Sequence, residues 1–245
     1  MQRQLCSILA AEQVLASLER PTLKVTLMGQ FLVELDGVPV ELPSRVAQSV
    51  FAYLALNAGK AIRREKLAGV FWPELPEANA RNQLRHTLWR IRKAISQLGY
   101  DGLAFIPENT LHVKLCVGPG YQLDVADLLQ PITSAYSTEV VMAQLSKYDE
   151  LLPGFTSPRD EWVCDWHYRL EQAYACKGLL IVDRLMREGR WHEALDWGSR
   201  LIFGSPCLEP IQQKLAQAMQ GLAEQWRLLE RCPAPENLNV NWPSH

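Results

Sequence analysis

The chain has 245 residues, 48% apolar and 21% charged, with a formal net charge of −2. That length leaves room for about two domains, and the composition excludes wholesale disorder. No run approaches the roughly 20 apolar residues that span a bilayer, so no membrane role is expected.

The start, MQRQLCSILAAEQVLASLERP, places Leu5, Ile8, Leu9, Leu15 and Leu18 at helical spacing, interrupted by Glu12 and Glu19. It reads as an N-terminal helix over 1–21 and lacks the apolar core and cleavage pattern of a signal peptide. The six cysteines form no CxxC pair and no Cys/His cluster at zinc spacing. Reduced thiols in a cytoplasmic protein are the expectation.

After Pro21 the segments LKVTLMG, QFLVELDG and VPVELP alternate apolar and polar residues, and Asp36-Gly37 is a hairpin turn signal. Three short strands are predicted. From Pro43 the period becomes helical, with Val46, Ala47, Val50, Phe51 and Leu54 on one stripe that ends at Asn57-Ala58-Gly59. A second helix, Arg63 to Trp72, carries Leu67, Val70 and Phe71 inward and stops at Pro73. The loop PELPEA, 73–78, leads into a third helix over 78–98.

That third helix contains NARNQLRHTLWRIRKAISQL, with Arg81, Arg85, Arg90, Arg92 and Lys93 and no carboxylate. It therefore carries +5 inside an acidic chain. On a helical projection Leu84, Leu88, Ile91 and Ile95 share a sector of about 60°, a core face. A sector of about 100° opposite holds Asn79, Asn82, His86, Trp89, Arg90 and Lys93. A solvated amphipathic helix is the ordinary meaning of such a pattern. Arg and Asn also pair with guanine and adenine edges, and cations neutralise phosphates, so double-stranded DNA is the partner this face suits.

Beyond Gly99, LAFIP and TLHVKL flank Glu108-Asn109, and YQLDV follows Gly118-Pro119-Gly120. These read as a β-hairpin and one more strand. The order of three strands, three helices and a hairpin is that of a winged helix with an N-terminal sheet, in which the third helix enters the major groove. The domain is assigned to 22–128. Asn82, His86, Arg90 and Asn79 are the candidates for base edges; Lys93, Arg64 and Arg45 are the candidates for phosphate, and Trp89 could touch DNA or pack on the wing. Arg81, Arg85 and Arg92 sit on the flanks.

The run from Ser44 to Ile95 resembles the response-regulator-type winged helix at the front of bacterial SARP-type transcriptional activators. The resemblance is carried by Leu54-Ala55-Leu56 to Gly59, Arg63-Arg64-Glu65-Lys66-Leu67, Trp72-Pro73 and Leu88-Trp89-Arg90-Ile91-Arg92-Lys93-Ala94-Ile95. From about Leu129 the pattern is helical. Leu151-Leu152-Pro153-Gly154-Phe155, Trp162 and Arg169 are similar to the bacterial transcriptional activator domain that follows the winged helix in that family. The resemblance implies a DNA-binding activator, the loop 73–78 as a surface for RNA polymerase, and the helical domain 129–232 as a site of homodimerisation or regulation.

Within that domain Gly189, Trp191, Ala194, Leu195 and Pro206 have the arrangement of one tetratricopeptide-like unit. Further helices are predicted over 160–177, 178–188 and 208–231, and the tail 233–245 is Pro- and Asn-rich without period. The fold class is α+β, mainly α. Trp162, Trp166, Trp191 and Trp197 are read as packing residues and Trp72 as core, with a small-molecule pocket the sharper alternative for the first four.

No enzyme constellation is present. Ala58-Gly59-Lys60-Ala61 lacks the upstream Gly and the Ser or Thr of a phosphate loop, the five histidines are scattered, and Asp160-Glu161 suits a helix start. No cofactor and no metal are expected. The competing expectation is a protein-interaction adaptor whose winged helix no longer binds DNA.

Overall fold

The computed structural model describes residues 21–131, 136–157, 160–202 and 208–231. The helix expected over 1–21 and the tail 233–245 lie outside the described residues. The chain divides into two compact units, one running to Gln130 and including Tyr148–Leu170, the other made of Pro131–Lys147 and the residues from Glu171 onward. The segment 148–170, placed by sequence in the 129–232 domain, thus belongs to the first unit.

In that unit β1 (Leu23–Thr26) pairs antiparallel with β2 (Leu32–Leu35), with Val25 opposite Val33. Asp36 and Gly37, both at positive φ, turn the chain into β3 (Val38–Pro39) as the Asp-Gly pair leads one to expect. Leu23, Val25, Val33 and Leu35 point to one buried face. Helix α1 (Arg45–Leu56) starts at Ser44, whose hydroxyl accepts from the Ala47 N–H. The two-residue β4 (Ile62–Arg63) precedes α2 (Arg64–Phe71), and α3 (Glu77–Gln97) packs on both α1 and α2.

The segment LAFIP corrects the sequence reading. Its residues form a short helix, α4 (Gly102–Phe105), because the Asp101 carboxylate accepts from the Leu103 N–H and Gly102 lies where a Cβ would come within 2.5 Å of the Arg92 carbonyl oxygen. The strand β5 (His112–Val113) therefore pairs with β4, and β6 (Gln122–Leu123) pairs with β1 to give the sheet order β3-β2-β1-β6. Asp124 fixes that junction by accepting from the Leu27 and Met28 N–H groups, each at 2.7 Å. The turn α5 (Ala126–Leu129) follows.

The segment 148–170 is stitched to the same core. Leu151 bridges Met28, the Leu152 N–H donates to the Leu27 carbonyl at 2.7 Å, and the Ser49 hydroxyl donates to the buried Asp160 carboxylate at 2.5 Å. Trp162 sets its edge on Tyr53 at 5.2 Å and is 6.2 Å from Phe71.

The second unit holds α6 (Thr138–Leu145), the later part of α7 (Glu161–Arg187), α8 (Trp191–Ile202) and α9 (Leu208–Arg231). α7 is one helix where two were expected, over 160–177 and 178–188. Gly178 is not a break; a Cβ there would lie 2.4 Å from a Leu201 methyl group, so glycine permits α8 to approach. Gly189, at φ +73°, ends α7, and Arg190 gathers Glu139, Glu188 and Glu193 around it. α8 and α9 pack closely, with Gly221 under the Trp191 ring. No helix among the described residues is long and apolar enough to cross a membrane.

Candidate nucleic-acid interface

Helix α3 begins after Pro76, whose carbonyl accepts from the Asn79 and Ala80 N–H groups, and ends before Gly99 at φ +87°. Its inner stripe is closed. Leu84, Leu88, Ile91 and Ile95 are at most 2% exposed, and Ala80, Thr87 and Ala94 complete the buried face. Burying four such side chains is worth several kcal/mol at about 1.5–3 kcal/mol each, which fixes the helix's rotation. The opposite face follows from that rotation: Asn79, Asn82, His86, Trp89, Arg90 and Lys93 are all exposed, and Arg85 is exposed on the flank.

The cations of α3 divide into two groups. Arg81 reaches back to Glu77 at 2.5 Å and to Glu65 at 3.4 Å, so its charge is locally balanced. The Arg92 side chain is only 13% exposed; its Nε donates to the Ile106 carbonyl at 2.8 Å, an Nη donates to the Pro107 carbonyl at 3.3 Å, and Glu108 lies 3.5 Å away. Arg92 thereby ties α3 to the strand approach after α4. Among the described residues Arg85, Arg90 and Lys93 enter no ion pair, and the Lys93 ammonium sits 5.2 Å from the Trp89 ring centre.

A cleft of about 610 Å³ opens beside α3, lined by Arg64, Arg85, Leu88, Arg92, Glu108, Asn109 and Thr110. Its far wall is held by hydrogen bonds. Asn109 accepts from the Leu111 and His112 N–H groups through its own side chain, Arg64 donates to the Asn109 carbonyl at 3.2 Å, and the Arg64 N–H donates to the Leu111 carbonyl. Partial burial presses the Arg64 and Arg92 guanidinium pKa values down from their ordinary value, while Glu108 pulls both back up. Guanidinium does not deprotonate in proteins, so the cleft holds three positive charges against one carboxylate. An anion at its mouth would relieve that excess.

The sequence-derived candidates fall into three places. Asn79, Asn82, His86, Trp89, Arg90 and Lys93 share the outward face of α3. Arg64 belongs to the cleft. Arg45, at the start of α1, is exposed and stacks its guanidinium on Phe155 at 3.2 Å. What sequence reasoning missed is the pairing of Arg64 with Arg85 and Arg92 across the cleft, and the anchoring role of Arg92. The available signal was its position, four residues beyond Leu88 and three before Ile95, at the edge of the buried stripe. Among the described residues no group of His, Cys, Asp and Glu could hold a metal ion.

No protein-family model and no curated protein matches the chain. Among solved structures, Mycobacterium tuberculosis EmbR, in complex with a low affinity phosphopeptide, superposes with a TM-score of 0.67 over 86% of this chain and 58% of that one, at 20% identity. The fold is EmbR-like. It has the architecture expected from the sequence, a winged helix with an N-terminal sheet and a helical region after it. The chain spans 58% of the EmbR chain, and at this identity the likeness carries the architecture. In this unit α3 is the third helix, and β4 with β5 forms a separate two-stranded sheet.

Proposed function

We propose that this chain is a sequence-specific DNA-binding transcriptional regulator, an activator, that lays α3 in the major groove. One observation carries the reading. The outward face of α3 exposes Asn82, His86, Trp89, Arg90 and Lys93 together, with no carboxylate of the helix among them, on a helix whose rotation is fixed by a fully buried opposite stripe. Asn79, Asn82, His86 and Arg90 probe base edges, where Arg suits guanine and Asn suits adenine. Lys93, Arg64 in the cleft and Arg45 serve the phosphate backbone, which sets register and most of the salt dependence.

The loop 73–78 between α2 and α3 is the surface offered to RNA polymerase, and the helical second unit serves homodimerisation or regulation. Both assignments are supported by the resemblance to SARP-type activators and by the EmbR-like fold. The reading as a protein-interaction adaptor is favoured by the net charge of −2. Incubating the full chain with fragmented genomic DNA separates them: retention that falls steeply as salt rises is expected of the regulator, and no retention at low salt would leave the adaptor.

A further inference from the structure

We propose that Trp89 determines specificity by reading the 5-methyl group of a thymine in the major groove; the inference rests on the DNA-binding reading of α3. Trp89 is 55% exposed, in contrast to Trp72, which is 4% exposed in the core of the same unit. Among the described residues no aromatic ring pairs with it, and the Lys93 ammonium lies 5.2 Å from its ring centre. A shallow groove of about 240 Å³ beside it is lined by Glu41, Pro43, Arg90, Lys93, Ala94 and Gln97, so the ring forms one wall of a recess that is open to solvent.

The ring's place on the helix decides what it can meet. Trp89 lies three residues after His86 and one before Arg90, at the edge of the polar sector, about 130° around the helix from the centre of the Leu84, Leu88, Ile91 and Ile95 stripe. An exposed indole there is within reach of a duplex laid along the polar face. An indole has a single N–H donor and no acceptor, so it cannot make the bidentate pairs by which Arg and Asn discriminate bases. Its large apolar surface rewards contact with an apolar group, and the only methyl that a base pair presents in the major groove is that of thymine. Lys93 above the ring restrains it and leaves the charge free to reach a phosphate.

The test uses the full chain and a duplex selected by that chain from a random pool, with each thymine replaced in turn by deoxyuridine, which exchanges the methyl for hydrogen alone. Wild-type affinity is expected to fall about fourfold at one position, the worth of one buried methyl. Trp89→Ala should bind that duplex more weakly and lose the thymine preference there, while Trp89→Phe should keep most of it. A Trp89→Ala variant that binds thymine and uracil duplexes with equally reduced affinity, beside a wild type indifferent to every replacement, would show the ring packing on sugar and overturn the proposal. Tight, salt-dependent wild-type binding with no sensitive position would overturn it and leave the DNA-binding reading standing. Failure to select any duplex would sink that reading as well. Should Trp89→Ala fail to fold, as judged by its melting curve, the wild-type uracil scan and Trp89→Phe decide.

Discussion

The Arg92 guanidinium satisfies two backbone carbonyls, those of Ile106 and Pro107, in a setting where its side chain is 13% exposed. Replacing it by Ala leaves those carbonyls without a protein partner, and Arg92→Ala should destabilise the fold by roughly 1–3 kcal/mol in denaturant titration. Arg85 is exposed and makes no such bond. Arg85→Ala should stay within about 0.5 kcal/mol of wild-type stability while weakening DNA binding. If the two variants exchange these behaviours, the division of the cleft into anchor and free cation is wrong. Asp124 supplies a pH dependence. Burial raises its pKa above the ordinary value of 3.8, against the pull of the Met28 and Leu27 N–H groups. The folded chain therefore holds this proton to higher pH than the unfolded chain, and the group's contribution to stability falls as pH rises from 3.8 through the raised value. Measured against Asp124→Asn, wild type should lose stability across that window and run parallel above it. A difference that stays flat over the window would contradict the assignment.

Elements were legible where a period ran long enough to outweigh local ambiguity. The stripe of α3 and the alternation of β1 and β2 were of that kind, as was the Asp36-Gly37 turn. LAFIP was not, because a five-residue apolar run suits a strand as well as a helix, and what decides it is the Asp101 cap with the seat of Gly102 against Arg92. Gly178 misled in the same way: a glycine in a helical run signals a boundary from sequence, whereas here Leu201 fills the space its missing Cβ leaves. The outward face of α3 was legible residue by residue, since it is set by the same period; the cleft was not, because Arg64 and Asn109 meet only through tertiary packing. Two glycine substitutions test this account of close approach. Gly221→Ala would set a Cβ within 2.6 Å of the Trp191 ring and should destabilise the protein by about 1–3 kcal/mol despite the better helix propensity of Ala. Gly69, inside α2, has nothing within 4 Å of that position. Gly69→Ala should stabilise by about 0.5–1 kcal/mol, and a stabilising Gly221→Ala would mean that α8 and α9 are more loosely packed than described.

At the scale of the whole molecule, the winged unit does not end with its last strand. The segment 148–170 adds the Met28–Leu151 bridge, the buried Ser49–Asp160 bond, the Phe31–Phe155 contact at 5.9 Å and the Trp162 edge on Tyr53. Leu151 to Phe155 stood out in the sequence as a mark of the domain that follows, but its packing on the first unit depends on pairings more than a hundred residues apart, which no local period encodes. A fragment of residues 21–130 should therefore melt several degrees below one of residues 21–170, and equal melting would show that the segment adds nothing to the unit. The central claim is that α3 reads DNA, and affinities of Arg90→Ala and Lys93→Ala on a selected and a random duplex over a range of salt test it most directly. Arg90→Ala should cost about 1–3 kcal/mol on the selected duplex and little on the random one. Lys93→Ala should weaken both alike and flatten the salt slope by about one. If neither variant changes affinity on either duplex, the outward face of α3 is not the DNA-binding surface.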